Sequence, residues 1–243
     1  MNINIMAFLK TGIMMSNFEI LFGVAPEQVR KNCILMPLLP KGFLKQIGIG
    51  KLNKGKLYSA WSQDNWTLIQ TGMSAPLVGD AVLYLKETPC QNMILFGSCG
   101  AVSNQKLSIG SLVCPIKCLA VESFSDFLQG QIDFKKYYPN QKLLERFLKE
   151  DTAILKTSCA TMSSLKLEED RHEWLIQQKI DVVDMECSAF FSAAQYAHFS
   201  ALAIFYVADI IKDRPFYKEK SMSECDMGLA MKQIIKILNN FAF

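Results

Sequence analysis

One segment near the end of the chain, residues 203–209, constrains the fold more than any other. Its sequence, Ala-Ile-Phe-Tyr-Val-Ala-Asp, is apolar enough to be buried on both faces of a sheet and ends in a carboxyl group. Strands buried on both faces are typical of α/β proteins, and open α/β sheets bind ligands at the carboxyl ends of such strands. Asp209 is therefore a candidate functional residue, whose pKa burial would raise. A helix N-cap or a surface turn is the structural alternative.

Short apolar segments alternate with amphipathic segments from Cys33 to the end of the chain. The predicted strands are residues 33–37, 56–62, 66–71, 93–96, 111–115, 118–122, 153–158, 182–185 and 201–208. The predicted helices are residues 76–86, 141–150, 168–178, 186–198 and 222–241. This alternation predicts a single-domain α/β protein, a three-layer sandwich around a mixed, mostly parallel central sheet. Residues 1–30 are interpreted as an N-terminal extension that could be partly disordered, and residues 31–243 as the domain.

Composition excludes several classes of function. The net charge of +3 over 243 residues is small and scattered, so no nucleic-acid partner is expected. No apolar run approaches the ~20 residues of a membrane span, so no membrane partner is expected either. The eight cysteines form no Cys-x-x-Cys pair, and only His172 and His198 could complete a metal site. We therefore expect no metal, no disulfides and a reducing, cytoplasmic location.

Two glycine-containing segments follow predicted strands, residues 71–76 and 97–102. Gly72, Gly97 and Gly100 would let the backbone approach a ligand closely, and Ser98 adds a hydroxyl group. Such segments are common, so neither one alone identifies a function.

Taken together and in chain order, four segments resemble the nucleoside phosphorylase and nucleosidase family. This family includes hexameric purine nucleoside phosphorylases and methylthioadenosine/S-adenosylhomocysteine nucleosidases. Residues 97–102 are similar to its Gly-Ser-x-Gly turn, and residues 71–73 to its ribose-side turn. Residues 183–186 (Val-Asp-Met-Glu) are similar to its Val-Glu-Met-Glu segment, and residues 207–209 to its Val-Ser-Asp strand end. The resemblance implies the nucleoside phosphorylase fold and a homo-oligomer, a dimer or a hexamer.

The resemblance also implies roles for individual residues. Asp209 would donate a proton toward the purine ring nitrogen, and Glu186 would accept hydrogen bonds from the ribose hydroxyls. Met185 and Met73 would contact the sugar. The base would be contacted by Val183, Asp184 and Met162. The turns near the nucleophile would contain Gly72, Gly97, Ser98 and Gly100. Protonating the base makes it a better leaving group from a cation-like sugar, and a positioned acid contributes about 10²–10⁴ in rate.

Departures from the family pattern bear on the nucleophile. Phosphorylases of this type hold phosphate with an Arg at the position of Leu95, and an apolar side chain cannot bind a dianion. Hydrolysis of a purine nucleoside or adenosyl-type metabolite is therefore expected, with no cofactor. The first alternative is phosphorolysis, with phosphate as co-substrate held by Lys41 or Lys45.

A second alternative rests on two further departures. The family's nucleosidases position water with a Glu after the first strand, but no acid lies between Glu27 and Asp64, and Ala208 replaces a hydroxyl beside the terminal Asp. A catalytically impaired nucleoside-binding protein would fit these losses.

Overall fold

The computed structural model describes residues 16–130, 134–151, 153–215, 217 and 224–239. The strands are β1 (Asn32–Met36), β2 (Asn53–Lys54), β3 (Ser59–Gln63), β4 (Trp66–Gln70), β5 (Asn92–Ala101), β6 (Leu112–Val121), β7 (Lys136–Tyr137), β8 (Leu155–Met162), β9 (Val182–Asp184) and β10 (Ser200–Ile210). The helices are α1 (Asn17–Phe22), α2 (Phe43–Gln46), α3 (Ala75–Tyr84), α4 (Phe124–Leu128), α5 (Gln141–Glu150), α6 (Leu165–Asp170), α7 (His172–Gln177), α8 (Cys187–Ala197) and α9 (Glu224–Asn239).

The predicted α/β class is confirmed, with differences at particular elements. Helix α5 spans the ten predicted residues because Asn140 caps it and three apolar residues repeat along its buried face. The predicted strands 111–115 and 118–122 are one continuous strand, β6. Its register with β8 shifts between Pro115 and Lys117, so the pairing continues although Pro115 has no N–H group to donate. The predicted helix 168–178 is divided into α6 and α7 at Arg171. No described helix combines the length and apolar character that a membrane span requires.

The central sheet is mixed, as predicted, but it is not the mostly parallel layer of a simple sandwich. Among the described residues, five strand pairings are parallel and five are antiparallel. Strand β10 pairs with both β5 and β6, so β5, β10, β6, β8 and β9 form a closed ring. Strands β1, β4, β3 and β2 continue outward from β5.

Ring closure follows from the length of β5. Its first residues pair with β1, whereas Gly100 and Ala101 at its end pair with β9. Glycines at positions 97 and 100 weaken the regular pleat and permit the bend between these neighbours. The strand predicted for residues 93–96 is too short, because it does not include Gly100 and Ala101, which close the ring.

Helices cover the sheet on separate faces. Helices α3 and α8 pack in one apolar cluster, which includes Val78 and Phe190, whereas α5 and α9 contribute Phe147 and Met231 to another. Helix α1 belongs to the first cluster, since Phe18 and Phe22 are fully buried and stack with ring centroids 4.2 Å apart. The described part of the predicted N-terminal extension therefore packs against the core, and residues 1–15 lie outside the described residues.

Candidate active site

Three neighbouring strands bring Asp209 close to the segment that contains Glu186. Asp209 on β10 is the register partner of Gly100 on β5, and Gly100 is the partner of Val183 on β9. Since adjacent strands lie about 4.8 Å apart, the Cα atoms of Asp209 and Val183 are separated by roughly 10 Å. Glu186 follows Val183 by three residues. The sheet thus gathers at one edge the two carboxyl-bearing segments that the sequence pointed to.

Gly100 provides the space for the Asp209 side chain. A Cβ atom at residue 100 would lie 3.1 Å from Asp209 Oδ1 and 3.4 Å from Val183 Cγ2. The register of β10 shifts between Val207 and Asp209, which sets the direction of the acid at the strand end. Asp209 is half-buried, so it lies between the sheet and solvent.

Glu186 is a buried carboxyl group at the start of α8. It is 7% exposed, and its Oε1 atom has no hydrogen-bond partner among the described residues. Burial, followed by the charge of Asp184, raises the pKa of Glu186 to about 8, although N–H groups of Ser74 and Met185 lower it. Buried polar atoms of proteins nearly always have partners, so an oxygen without one points to a group supplied by a ligand.

The predicted ribose-side turn contacts this carboxyl group. The turn follows β4 and leads into α3, where the Ser74 hydroxyl accepts a hydrogen bond from the Leu77 N–H group. Gly72 has a φ of 83°, a left-handed conformation that favours glycine. Met73 beside it is 55% exposed. The fold therefore brings residues 71–76 and Glu186 together, and the contact of Met73 and Glu186 with a ribose stays a prediction.

The second glycine segment is a strand and not a turn. Gly97, Ser98 and Gly100 all lie within β5 and pair with β10. Ser98 is the register partner of Tyr206, and a Cβ atom at Gly97 would lie 3.6 Å from Pro37 Cδ. The expectation of a turn is wrong because the β10 ladder continues through these residues. They still adjoin the end of β1.

The proposed base-pocket residues are more buried than a pocket lining would be. Val183 and Met162 pack in one apolar cluster together with Ile211. The Asp184 carboxylate accepts hydrogen bonds from Thr161 Oγ1 at 2.7 Å and from two backbone N–H groups, those of Glu186 and Cys187. Asp184 therefore holds the start of α8, and its pKa is raised to about 7, chiefly by burial. Met185 is half-buried. The contact of these residues with a base stays a prediction.

Two further acids, the half-buried Glu122 and the buried Glu168, were not found from the sequence. Glu122 follows β6 and accepts a hydrogen bond from Ser188 Oγ at 2.8 Å, and burial raises its pKa. Glu168 on α6 is 6% exposed. Burial and then the charges of Asp209 and Asp184 raise the pKa of Glu168 to about 8. Glu122 ends an apolar strand as Asp209 does, so the same rule could have found it. Glu168 lies in a charged stretch that gave no such signal.

Leu95 occupies the interior of the sheet. It is fully buried and pairs with Leu35 on one side and Ala203 on the other. Its side chain belongs to the apolar cluster beneath α3 and α8. The position at which related phosphorylases are expected to carry an anion-binding Arg is thus part of the core.

Comparisons with known proteins agree on the fold. A family model described as the phosphorylase superfamily matches residues 37–236, whereas no curated protein matches the chain. The 5'-methylthioadenosine/S-adenosyl homocysteine nucleosidase of Helicobacter pylori is similar at a TM-score of 0.72 and 14% identity, over 88% of this chain and 100% of that one. Futalosine hydrolase of Helicobacter pylori gives 0.71 and 14%, over 86% and 98%. AMP nucleosidase from Bacteroides thetaiotaomicron gives 0.61 and 17%, over 86% and 90%.

Proposed function

The chain belongs to the phosphorylase superfamily, and we propose on that premise that it cleaves the N-glycosidic bond of a purine nucleoside or adenosyl-type metabolite by hydrolysis. The observation that carries the proposal is the buried Oε1 atom of Glu186, which lacks a partner among the described residues. A ribose hydroxyl would supply the missing hydrogen bond. The ribose would then lie beside Ser74, whose backbone adjoins the same carboxyl group and lowers its pKa.

Asp209 is the proposed general acid. The bond between ribose and base breaks with positive charge on the sugar and negative charge on the base. A proton delivered by Asp209 would neutralise the departing base, while Glu186 would offset the charge of the sugar. Gly100 is the strand neighbour of both Asp209 and Val183. Because it has no side chain, it leaves room for the acid beside the sheet, which supports these roles.

Water is the proposed nucleophile because of Leu95. A fully buried leucine within the sheet cannot contribute to a phosphate site. If the reaction were phosphorolysis, the phosphate would have to be bound by the exposed Lys41 or Lys45 near α2 instead. Futalosine hydrolase, AMP nucleosidase and methylthioadenosine nucleosidase, the similar proteins named above, are hydrolases or nucleosidases by name. That agreement supports hydrolysis as the reaction of this chain.

An apolar 5′ substituent is the proposed specificity feature of the substrate. Met36 and Gln70 are register partners at the ends of β1 and β4, so the residues that follow leave the sheet side by side. Leu38 and Met73, which follow these two strands, are 53% and 55% exposed. Exposed apolar side chains next to the proposed ribose site would favour an alkylthio group over a free hydroxyl group. Equal kcat/KM for adenosine and its 5′-alkylthio analogue would contradict this.

The decisive assay is release of free base from a panel of purine nucleosides, with and without phosphate. Hydrolysis predicts base release in phosphate-free buffer. A strict phosphate requirement would instead support phosphorolysis. Binding of adenine nucleosides without any base release would support a catalytically impaired binding protein.

A homo-oligomer, a dimer or a hexamer, remains part of the proposal, as does a cytoplasmic location. Light scattering on the purified protein tests the first, and a monomer at micromolar concentration would contradict it.

A further inference from the structure

Three cysteines and one carboxylate that are far apart in the sequence meet inside the fold. They are Cys118 on β6, Cys159 on β8, Asp184 at the end of β9 and Cys187 at the start of α8. Their ligand atoms all lie within 4.8 Å of one another, and all four residues are buried. The sequence contains no Cys-x-x-Cys pair, but residues that are distant along the chain can supply the ligands of one site.

Sheet register explains why these side chains converge. Cys118 and Cys159 are direct partners in the parallel pairing of β6 with β8. Asp184 on β9 is the partner of Thr161, two residues beyond Cys159 on the same strand. Cys187 is fixed next to them because its N–H group donates to Asp184 Oδ2 at 2.6 Å. Four separate elements thus direct one donor atom each toward a common point.

We propose that Cys118, Cys159, Asp184 and Cys187 bind one zinc ion in a four-coordinate structural site. Three sulfur donors and one oxygen donor form a set that suits zinc, whereas magnesium and calcium prefer oxygen donors alone. A tetrahedral site with this donor set has ligand atoms roughly 3.5–3.8 Å apart. Cys159 Sγ already lies 3.4 Å from Asp184 Oδ1, and since all four ligand atoms lie within 4.8 Å of one another, binding requires a contraction of at most about 1 Å.

The groups around the cluster orient the carboxylate as a metal ligand requires. Asp184 Oδ2 accepts from the N–H groups of Glu186 and Cys187, and Oδ1 accepts from Thr161 Oγ1 at 2.7 Å. A carboxylate oxygen has two lone pairs, so Oδ1 retains one for an ion. Thr161 is itself fixed, since its oxygen accepts from the Ser188 N–H group at 2.8 Å. Hydrogen-bonded carboxylates of this kind are typical of the surroundings of metal sites.

The charge of the occupied site has local compensation. Three thiolates and one carboxylate around a dication leave a net negative charge in the interior. The two N–H donors at Asp184 and the positive end of the α8 dipole, which begins at Cys187, offset part of it. With four protein ligands the ion would have no open position, so its role is structural and it takes no part in the reaction. It would tie β6, β8 and β9 to α8 on both sides of Glu186.

Metal content of the untagged, full-length protein tests the proposal. After purification without chelators, elemental analysis should find about one zinc ion per chain, and replacement by cobalt should give a thiolate-to-cobalt charge-transfer band. Cys159→Ala and Cys187→Ala should each lower zinc content at least tenfold. Cys114→Ala is the matched control, because Cys114 is buried on the same strand as Cys118 but packs in a different cluster.

The wild-type protein decides the question even if the cluster variants do not fold. Folded wild-type protein that holds no zinc and gives no cobalt band after refolding with either metal would overturn the proposal. Zinc loss in Cys114→Ala equal to that in the cluster variants would overturn it as well. Neither measurement uses base release, so failure of the zinc site and failure of the nucleosidase proposal are distinguishable.

Discussion

The backbone of Ser74 adjoins the carboxyl group of Glu186, which lies far away in the sequence, and lowers the pKa of that group. This proximity joins the turn before α3 to the start of α8. Helices α3 and α8 pack against each other in the same apolar cluster. Their packing therefore holds in place the two segments to which we assign the ribose. The packing of α3 against α8 therefore also determines the geometry of the proposed site.

Glu186→Gln should lower kcat/KM for nucleoside cleavage by about 10²-fold. The amide preserves the shape of the side chain but cannot ionise to the carboxylate that would stabilise a cation-like sugar. The melting temperature should not fall, because the change also removes a buried carboxyl group. Steady-state kinetics and thermal unfolding measure the two effects, with Glu150→Gln on the exposed end of α5 as control. Unchanged kcat/KM would contradict the assignment of Glu186 to the ribose.

Gly100→Ala should lower kcat at least about tenfold with little loss of stability. The new Cβ atom would lie 3.1 Å from Asp209 Oδ1, so the acid would have to move by a few tenths of an ångström. Gly79→Ala is the matched control, since its Cβ atom would meet only Ala189 Cβ at 3.8 Å. That control sits in α3, where alanine is favoured over glycine, and it should retain activity. Equal kcat for both variants would argue against Asp209 as the acid.

Glu168→Gln should stabilise the protein relative to the wild type, and this gain should be larger at alkaline pH than at acidic pH. The pKa of Glu168 is about 8 in the folded protein and 4.5 ordinarily, so the folded state binds this proton more tightly. Between these values the folded state holds more protons than the unfolded state, and stability falls as pH rises. Glutamine cannot ionise and should avoid that loss, which is on the order of a few kcal/mol.

Denaturant unfolding near pH 5 and pH 9 tests this prediction. The difference in the free energy of unfolding between Glu168→Gln and wild type should grow from the lower to the higher pH. Glu150→Gln, an exposed glutamate on α5, serves as control. A difference that stays constant with pH would show that the pKa of Glu168 is not raised in the folded protein, and would contradict this prediction.

Local sequence patterns predicted the elements but not the way the sheet closes. Asp209 and Glu186 were located because each follows an apolar run in the sequence. The closed ring was missed because it depends on Gly97 and Gly100 continuing β5 into contact with β9, which is a tertiary event. A glycine pair after a short apolar run reads equally well as a turn.

Burial of single polar residues was also beyond the sequence. Glu168 lies between charged residues, and only the packing of α6 against the sheet buries it. Cys118 and Cys159 are distant in sequence, and only the register of β6 with β8 makes them partners. Features fixed by neighbours along the chain could be predicted, whereas those fixed by neighbours in space could not.

Hydrolysis with Asp209 as the acid is tested by comparing release of free purine base by wild type and Asp209→Asn in phosphate-free buffer. The wild-type protein should release base without phosphate, and the variant should be slower by about 10²–10⁴ because asparagine cannot donate the proton to the leaving base. Base release that requires phosphate, or an equal rate in Asp209→Asn, would contradict the account.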